Sequence, residues 1–218
     1  MKVGVFGTGM VGTSIATRLV ELGNDVVMGS RSATSETAAE WVASVEGAGA
    51  RAQGTFADAA THGEILFNCT AGAGALEALE LAGAQNLAGK TLVDVSNPLD
   101  FSQGLPPSLF VPSTDSLAER LQRAFPEARV VKALNMVNHE VMVQPAIVQG
   151  DHDLFMAGND DGAKEEAREV LESFGWPRSS IRDLGDISAA RGMEAYLLLW
   201  LRLWGTVGTG HFNIKVVA

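Results

Sequence analysis

Apolar residues along this chain fall into two patterns: short unbroken runs, and longer stretches in which they return every three or four positions. The first pattern reads as buried strands and the second as amphipathic helices. Runs at 2–6, 25–29, 51–53, 64–68, 90–95 and 129–134 predict strands. Between them lie a helix carrying Ile15, Leu19 and Leu22 on one face, and helical stretches at 35–46, 56–60 and 75–81. A further helix reaches Ala124, with Ser113-Thr114-Asp115 as its predicted cap. The segment holding Pro98, Pro106, Pro107 and Pro112 is too broken by proline for regular structure. Beyond it the pattern predicts a strand at 154–158, a helix at 163–174 opened by Asn159-Asp160-Asp161, a strand near 180–182 and a final helix at 187–204. Strands alternating with helices imply an α/β fold with a mostly parallel sheet covered on both faces.

The junction between the first strand and the first helix reads Gly7-Thr8-Gly9-Met10-Val11-Gly12. Strand, G-x-G-x-x-G turn and helix in that order describe a dinucleotide-binding opening. Gly7 permits the tight turn, Gly9 removes a side chain where a pyrophosphate must approach backbone, and Gly12 lets helix and strand pack closely. The N–H groups that open the helix then face the pyrophosphate, and the helix dipole adds attraction.

The end of the second strand selects the dinucleotide. An NAD site usually places Asp or Glu about 20 residues past the glycines, on the ribose 2′-hydroxyl. This chain has Ser30-Arg31-Ser32 there; Glu36 comes a turn too late and Asp25 lies at the wrong end of the strand. A guanidinium beside two hydroxyls suits a phosphate, so the expected cofactor is NADP(H). The expected architecture is therefore a Rossmann-type doubly wound sheet with a small C-terminal helical extension. Residues 1–140 would form the NADP-binding domain, and 141–218 an extension packed on the sheet rather than an independent domain.

Composition narrows the class further. The 218 residues are 46% hydrophobic, enough for a sizeable core, and carry a net charge of −10. No run of Lys or Arg stands out, which argues against a nucleic-acid partner. A single cysteine, Cys69, excludes an intrachain disulfide and a cysteine-built zinc site, and fits a reducing compartment. The longest apolar stretch, 195–204, contains Arg202 and falls far below the ~20 residues of a membrane helix. With no signal-peptide pattern ahead of the first strand, the reading is cytoplasmic. In the final helix Met193, Tyr196, Leu197, Leu199, Trp200, Leu203 and Trp204 wrap most of the circumference, more than one core face requires. That helix is the expected homodimer element; a central buried helix of a monomer is the alternative.

Ligands of open α/β sheets bind beyond the carboxyl ends of the strands. Here those ends carry Cys69-Thr70-Ala71, Asn97-Pro98, and Asn135-Met136-Val137 followed by His139. Cys69, Thr70, Ala71, Asn97, Pro98 and Asn135 are candidate cofactor contacts, and Asn135, Met136, Val137 and His139 candidate substrate contacts. Asparagine at strand ends also occurs simply because it suits turns. No catalytic acid–base constellation and no metal site stands out. There is no Tyr-x-x-x-Lys pair, since Tyr196 is the only tyrosine. Reducing a carbonyl needs a proton donor at the forming alkoxide, and His139 is the only candidate nearby. Hydride exchange between a nicotinamide and a flavin-like ring needs mainly proximity, orientation and exclusion of water.

Five segments together resemble a known family: the glycine motif, Gly29-Ser30-Arg31, Asp94-Val95-Ser96-Asn97-Pro98-Leu99, Val131-Lys132-Ala133-Leu134-Asn135 and Gly208-Thr209-Gly210-His211-Phe212-Asn213-Ile214-Lys215. They are similar to the NADPH-dependent coenzyme F420 reductases (8-hydroxy-5-deazaflavin:NADPH oxidoreductases), related to the cytosolic domain of the STEAP metalloreductases. The resemblance implies a homodimer that moves hydride between NADPH and the deazaflavin F420, with a flavin as the alternative acceptor. It implies Thr8, Ser30 and Arg31 at the 2′-phosphate, Met10 and Val11 along the pyrophosphate, and Asn135 and Val137 at the ring pocket. Two positions depart from the family pattern: Asn135-Met136-Val137-Asn138 stands where members can carry His-Thr-Ile-Pro, and Ala33, Thr34 and Ser35 replace a basic residue that can follow Ser-Arg. Two other functions remain open on sequence: NADPH-dependent reduction of a small imine or carbonyl metabolite, and a non-catalytic NADP(H)-sensing module.

Overall fold

Side chains alternate sides along each strand, and here both sides are apolar. Val3 and Val5 of β1 (Lys2–Phe6) face one core cluster and Phe6 the other. Ile65 and Phe67 of β4 (Ile65–Asn68) oppose Leu66 in the same way. A sheet with two apolar faces must be covered twice. The computed structural model describes residues 1–217, and it shows that double cover.

The remaining strands are β2 (Asp25–Ser30), β3 (Arg51–Thr55), β5 (Thr91–Asp94), β6 (Leu99–Asp100), β7 (Ser108–Leu109), β8 (Arg129–Ala133), β9 (Leu154–Gly158) and β10 (Ile181–Asp183). The helices are α1 (Met10–Glu21), α2 (Glu36–Ser44), α3 (Phe56–His62), α4 (Ala75–Ala82), α5 (Ala84–Leu87), α6 (Leu117–Ala124), α7 (His139–Val143), α8 (Asp161–Ser173) and α9 (Ala190–Val207). Eight strands form one sheet in the order β10-β9-β8-β5-β4-β1-β2-β3. All its neighbours pair in parallel except β8 and β9. This is an α/β, Rossmann-like fold.

The chain leaves β1 toward β2 and β3, then crosses back to lay β4 on the other side of β1. The exits of β1 and β4 therefore diverge from a crevice, the place where such sheets hold ligands. The exits of β5 and β8 lie farther along the same edge. Because β9 runs the other way, with Met156 opposite Ala133, its entrance shares that edge too. Helix α1 buries Gly12, Ile15, Ala16, Leu19 and Val20 against the sheet. Truncating Leu19, fully buried, to alanine costs about 2–5 kcal/mol by the usual cavity penalty.

Three local readings of the sequence are corrected. The helix expected after Ser113-Thr114-Asp115 starts later: Ser116 is its cap, accepting from the Glu119 N–H. The proline-rich segment is not wholly irregular, since β6 and β7 pair antiparallel, Leu99 with Leu109 and Asp100 with Ser108. The helix placed at 35–46 stops at Ser44, with Val45 already extended. Among the described residues, no helix is long and apolar enough to cross a membrane.

Candidate functional site

A cleft of about 610 Å³ opens at the divergence of β1 and β4. The glycine motif forms its floor. Gly7 has φ +110°, the left-handed half of conformational space, and a Cβ there would lie 2.9 Å from the Cys69 carbonyl oxygen. A Cβ on Gly12 would lie 2.1 Å from the Gly7 carbonyl oxygen. Both glycines are required by the protein's own packing. Gly9 differs: a Cβ there would meet nothing within 4 Å, so the missing side chain leaves open space above the start of α1. Gly9 is the N-cap of α1 and offers no side chain to its first amides. The Met10, Val11 and Gly12 N–H groups precede the first α-helical bond of that helix, Thr13 N to the Gly9 carbonyl. An open, glycine-floored cradle facing unpaired amides fits a pyrophosphate. Met10 itself is 74% exposed.

Ser30, Arg31 and Ser32 line the same cleft, beside Thr8. The exit of β2 is a chain of hydroxyl turns. Ser30 Oγ donates to the Ser32 carbonyl at 2.6 Å and accepts from the Ser32 N–H at 3.2 Å. Ser32 Oγ sits 3.1 Å from Thr34 Oγ1 and accepts from the Thr34 N–H. These bonds hold the loop folded while Arg31 projects, exposed. Among the described residues no carboxylate lies within ion-pair distance of Arg31; Arg51 and Arg202 share this, whereas the arginines at 18, 120, 123, 129, 168, 178, 182 and 191 are paired. A guanidinium left free beside hydroxyls fits a 2′-phosphate.

Cys69, Thr70 and Ala71, at the exit of β4, form part of the opposite wall. Burial, with the Asp94 charge adding to it, pushes the Cys69 thiol far above its ordinary range. A thiol so held is a poor nucleophile and a poor acid. The remaining candidates lie beyond this wall, along the exits of β5 and β8. Asn97 Nδ2 donates to the Asn135 carbonyl at 3.0 Å, and Asn135 Nδ2 donates back to Asn97 Oδ1 at 2.9 Å. Leu134, at φ +64°, turns the chain between β8 and Asn135, a conformation that costs a non-glycine residue about 1 kcal/mol. Pro98 is buried, and Met136 and Val137 pack in the core, 8% and 5% exposed. His139 opens α7 and shares a 2.8 Å hydrogen bond with Ser14 of α1.

Beneath these exits lies a charged network that the sequence reading missed. The Lys132 ammonium, fully buried, reaches Asp94 Oδ2 at 2.8 Å, Glu194 Oε1 at 3.0 Å and the Ser96 carbonyl. Asp94 Oδ1 also accepts from Asn68 Nδ2 at 2.8 Å and Ser96 Oγ at 2.7 Å. Asn68 Oδ1 in turn accepts from the Thr70 hydroxyl at 2.7 Å. Two hydrogen bonds thus connect Asp94 to the Asn68-Thr70 wall of the cleft. Glu194, on α9, accepts from the Leu117 and Ala118 N–H groups that open α6. Burial opposes the Lys132 charge, but Asp94 and Glu194 outweigh it and hold the ammonium above its ordinary pKa. The visible signal was a lysine and an aspartate inside otherwise apolar strands.

The chain's end closes over the same edge. Asn213 Nδ2 donates to the Asp153 carbonyl and lies 3.0 Å from His152 Nδ1; the Val216 N–H donates to Asp153 Oδ2 at 2.7 Å. His211 pairs with Glu140. Phe212 stacks on Trp200 at 5.3 Å between centroids. Tyr196 and Trp200 of α9 each bury a polar atom without a partner.

With this geometry in view, the likenesses to other proteins become specific. A model of the family described as NADP oxidoreductase, coenzyme F420-dependent, matches residues 2–98. The F420-dependent NADP reductase of Methanocaldococcus jannaschii is 29% identical over 224 residues, covering 96% of each chain. The metalloreductase STEAP3 of Rattus norvegicus is 32% identical over 204 residues; the match takes in 93% of this chain but spans only 38% of that relative's length. A solved structure from Arthrobacter sp. FB24, named as a candidate F420-dependent NADP reductase, superposes with a TM-score of 0.93 at 46% identity, over 100% of both chains. The glycine-floored cleft, the free Arg31 and this full-length likeness lead to one conclusion: the chain belongs to the F420-dependent NADP oxidoreductase family and is an NADP-dependent oxidoreductase.

Proposed function

We propose that the protein transfers a hydride between NADP(H) and a deazaflavin of the coenzyme F420 type, with a flavin as the nearest alternative acceptor. The observation that carries this reading is the make-up of the exits of β5 and β8, where the rings would meet. Asn97, Pro98, Asn135, Met136 and Val137 carry no ionisable group, the Cys69 thiol at the neighbouring β4 exit is held protonated, and the ring of His139 shares its Nδ1 with Ser14. Hydride passage between two stacked rings needs no proton donor, only alignment and dryness.

In this reading the bound dinucleotide supplies the hydride. Gly7, Thr8, Gly9, Met10, Val11 and Gly12 hold its pyrophosphate, and Ser30, Arg31 and Ser32 its 2′-phosphate. Cys69, Thr70, Ala71, Asn97, Pro98 and Asn135 border the nicotinamide. Asn135, Met136, Val137 and His139 border the acceptor, with the first three through backbone as much as side chain, given their burial. The reading also carries a cytoplasmic homodimer joined through α9, whose Leu198, Leu199, Trp204 and Val207 are exposed.

The test mixes protein, NADPH and the oxidised deazaflavin and follows the deazaflavin's visible absorbance. Bleaching that requires the protein is expected. Absorbance that stays constant with the deazaflavin, and with free flavins, would end the proposal.

A further inference from the structure

One side chain in the cleft runs against its electrostatics. Arg31, the β2 hydroxyls and the open amides of α1 all receive anions, yet Glu77 lines the same space. It is exposed and, among the described residues, in no ion pair. A carboxylate accepts hydrogen bonds and repels phosphate. The first turn of α4 favours a carboxylate through the helix dipole, and from there Glu77 also presents an acceptor to the cleft, where a donor on the ligand can meet it.

The neighbours of Glu77 indicate which donor. Gly74, Ala78 and Leu81 stand on the same face of α4, one turn apart, and Phe56 opens α3 across from them. Phe56 is 6% exposed, Ala78 1% and Leu81 50%. Small and apolar groups of this kind suit the flat face of a base and give nothing to a ribose. The donor groups on the adenosine half of NADP are the ribose 3′-hydroxyl and the exocyclic 6-amine. The 3′-hydroxyl adjoins the 2′-phosphate, which repels a carboxylate, so the amine is the donor Glu77 meets at the lower electrostatic cost.

We propose that Glu77 is a specificity-determining residue that selects adenine by accepting a hydrogen bond from its 6-amino group, with Phe56, Ala78 and Leu81 flanking the base. The assignment rests on the NADP reading of the cleft and deepens it. It makes base recognition a pairing of a carboxylate with an amine, separate from the guanidinium–phosphate pairing in the same cleft.

Calorimetry on the whole protein tests it, with NADP⁺, its deamino analogue (hypoxanthine in place of adenine, so a 6-oxo acceptor replaces the amine) and NAD⁺ as ligands. The unaltered protein is expected to bind NADP⁺ about tenfold more tightly than deamino-NADP⁺, the usual worth of one hydrogen bond to a charged group. Glu77→Ala should weaken NADP⁺ and bring the two affinities within about twofold. Glu77→Gln, whose amide can donate to a 6-oxo group, should also close the gap. Arg31→Ala should lose affinity for both phosphorylated ligands while keeping the gap between them. The proposal falls if the unaltered protein does not distinguish the two bases. It falls equally if Glu77→Ala keeps the full gap, or changes only the melting temperature or only NAD⁺ binding. Tight NADP⁺ binding with no base preference would sink this inference alone; absence of NADP⁺ binding would sink the cleft assignment with it.

Discussion

Gly9 and Gly12 are three positions apart in one motif, yet an added methyl group meets opposite surroundings at the two. At Gly12 it would run into the Gly7 carbonyl; at Gly9 it would enter empty space. The backbone of Gly9, at φ −77°, is open to any residue. Gly12→Ala is therefore expected to lower the melting temperature of the free protein, whereas Gly9→Ala should leave it within a degree or two and weaken NADPH binding at least about tenfold, by blocking backbone approach. A Gly9→Ala protein that binds NADPH normally would remove the pyrophosphate from this floor. Arg31→Ala should raise the KM for NADPH at least about tenfold and leave NADH nearly unchanged, since only the phosphorylated ribose meets the guanidinium; equal effects on both would refute the assignment. The placement of these residues at one cleft was legible in the sequence because their geometry is local: the glycine motif opens α1, and Ser30, Arg31 and Ser32 end β2 and turn out of it. Glu77 was not legible: it reaches the cleft it shares with Arg31 only through the packing of α4 against α3.

Elements show the same division. Strands β1, β2, β8 and β9 and helices α1, α4 and α8 follow directly from the spacing of apolar residues. The cap of α6 did not, because Ser113-Thr114-Asp115 and Ser116 are chemically alike as caps. What decides is Glu119, three residues after Ser116, which accepts from the Ser116 hydroxyl at 2.8 Å and is also held by Arg191 of α9. Two-residue strands such as β6 and β7 carry too few positions to show any period. The Lys132 network depends on Glu194, which the sequence offers only as an acid in an apolar helix. Lys132→Met should destabilise the fold by about 3–5 kcal/mol, because it leaves Asp94 and Glu194 buried without their cation; urea unfolding measures this, and a loss below about 1 kcal/mol would mean the network is dispensable. The C-terminal tail has its own pH dependence. Burial alone would raise the Asp153 pKa, but the Val216 N–H and the Arg182 guanidinium outweigh it and hold the carboxylate below its ordinary range. A folded pKa below the unfolded one gives stability that is full above about pH 4 and is lost as pH falls through the depressed value. The Val216 amide resonance should therefore move away from its native shift in acid, and Asp153→Asn should produce the same movement at neutral pH. A Val216 signal indifferent to both would detach the tail from this carboxylate.

At the scale of the whole molecule, the outward side of α9 sets the expected assembly. Leu199, Trp204 and Val207 are 55%, 50% and 52% exposed, a run of apolar surface that a lone chain gains nothing by showing to water. Sedimentation is expected to give twice the 22.9 kDa chain mass, and Trp204→Glu to return it to one; a single-chain mass for the unaltered protein would remove the homodimer. Inside, the same helix is joined to the sheet through ions. Glu194 binds a strand's ammonium with one oxygen and the opening amides of α6 with both. We propose on that basis that residues 141–218 are an extension of the nucleotide-binding unit rather than a domain of their own. One practical result concerns chimeras. Anyone exchanging the last third of this protein for that of a relative, to change the electron acceptor, would be cutting a three-body electrostatic joint whose other members sit in the part left behind. A donor sequence lacking an acid at position 194 would leave Lys132 with Asp94 alone and the buried Leu117 and Ala118 amides without their acceptor, so graft success should follow that one position more closely than overall similarity.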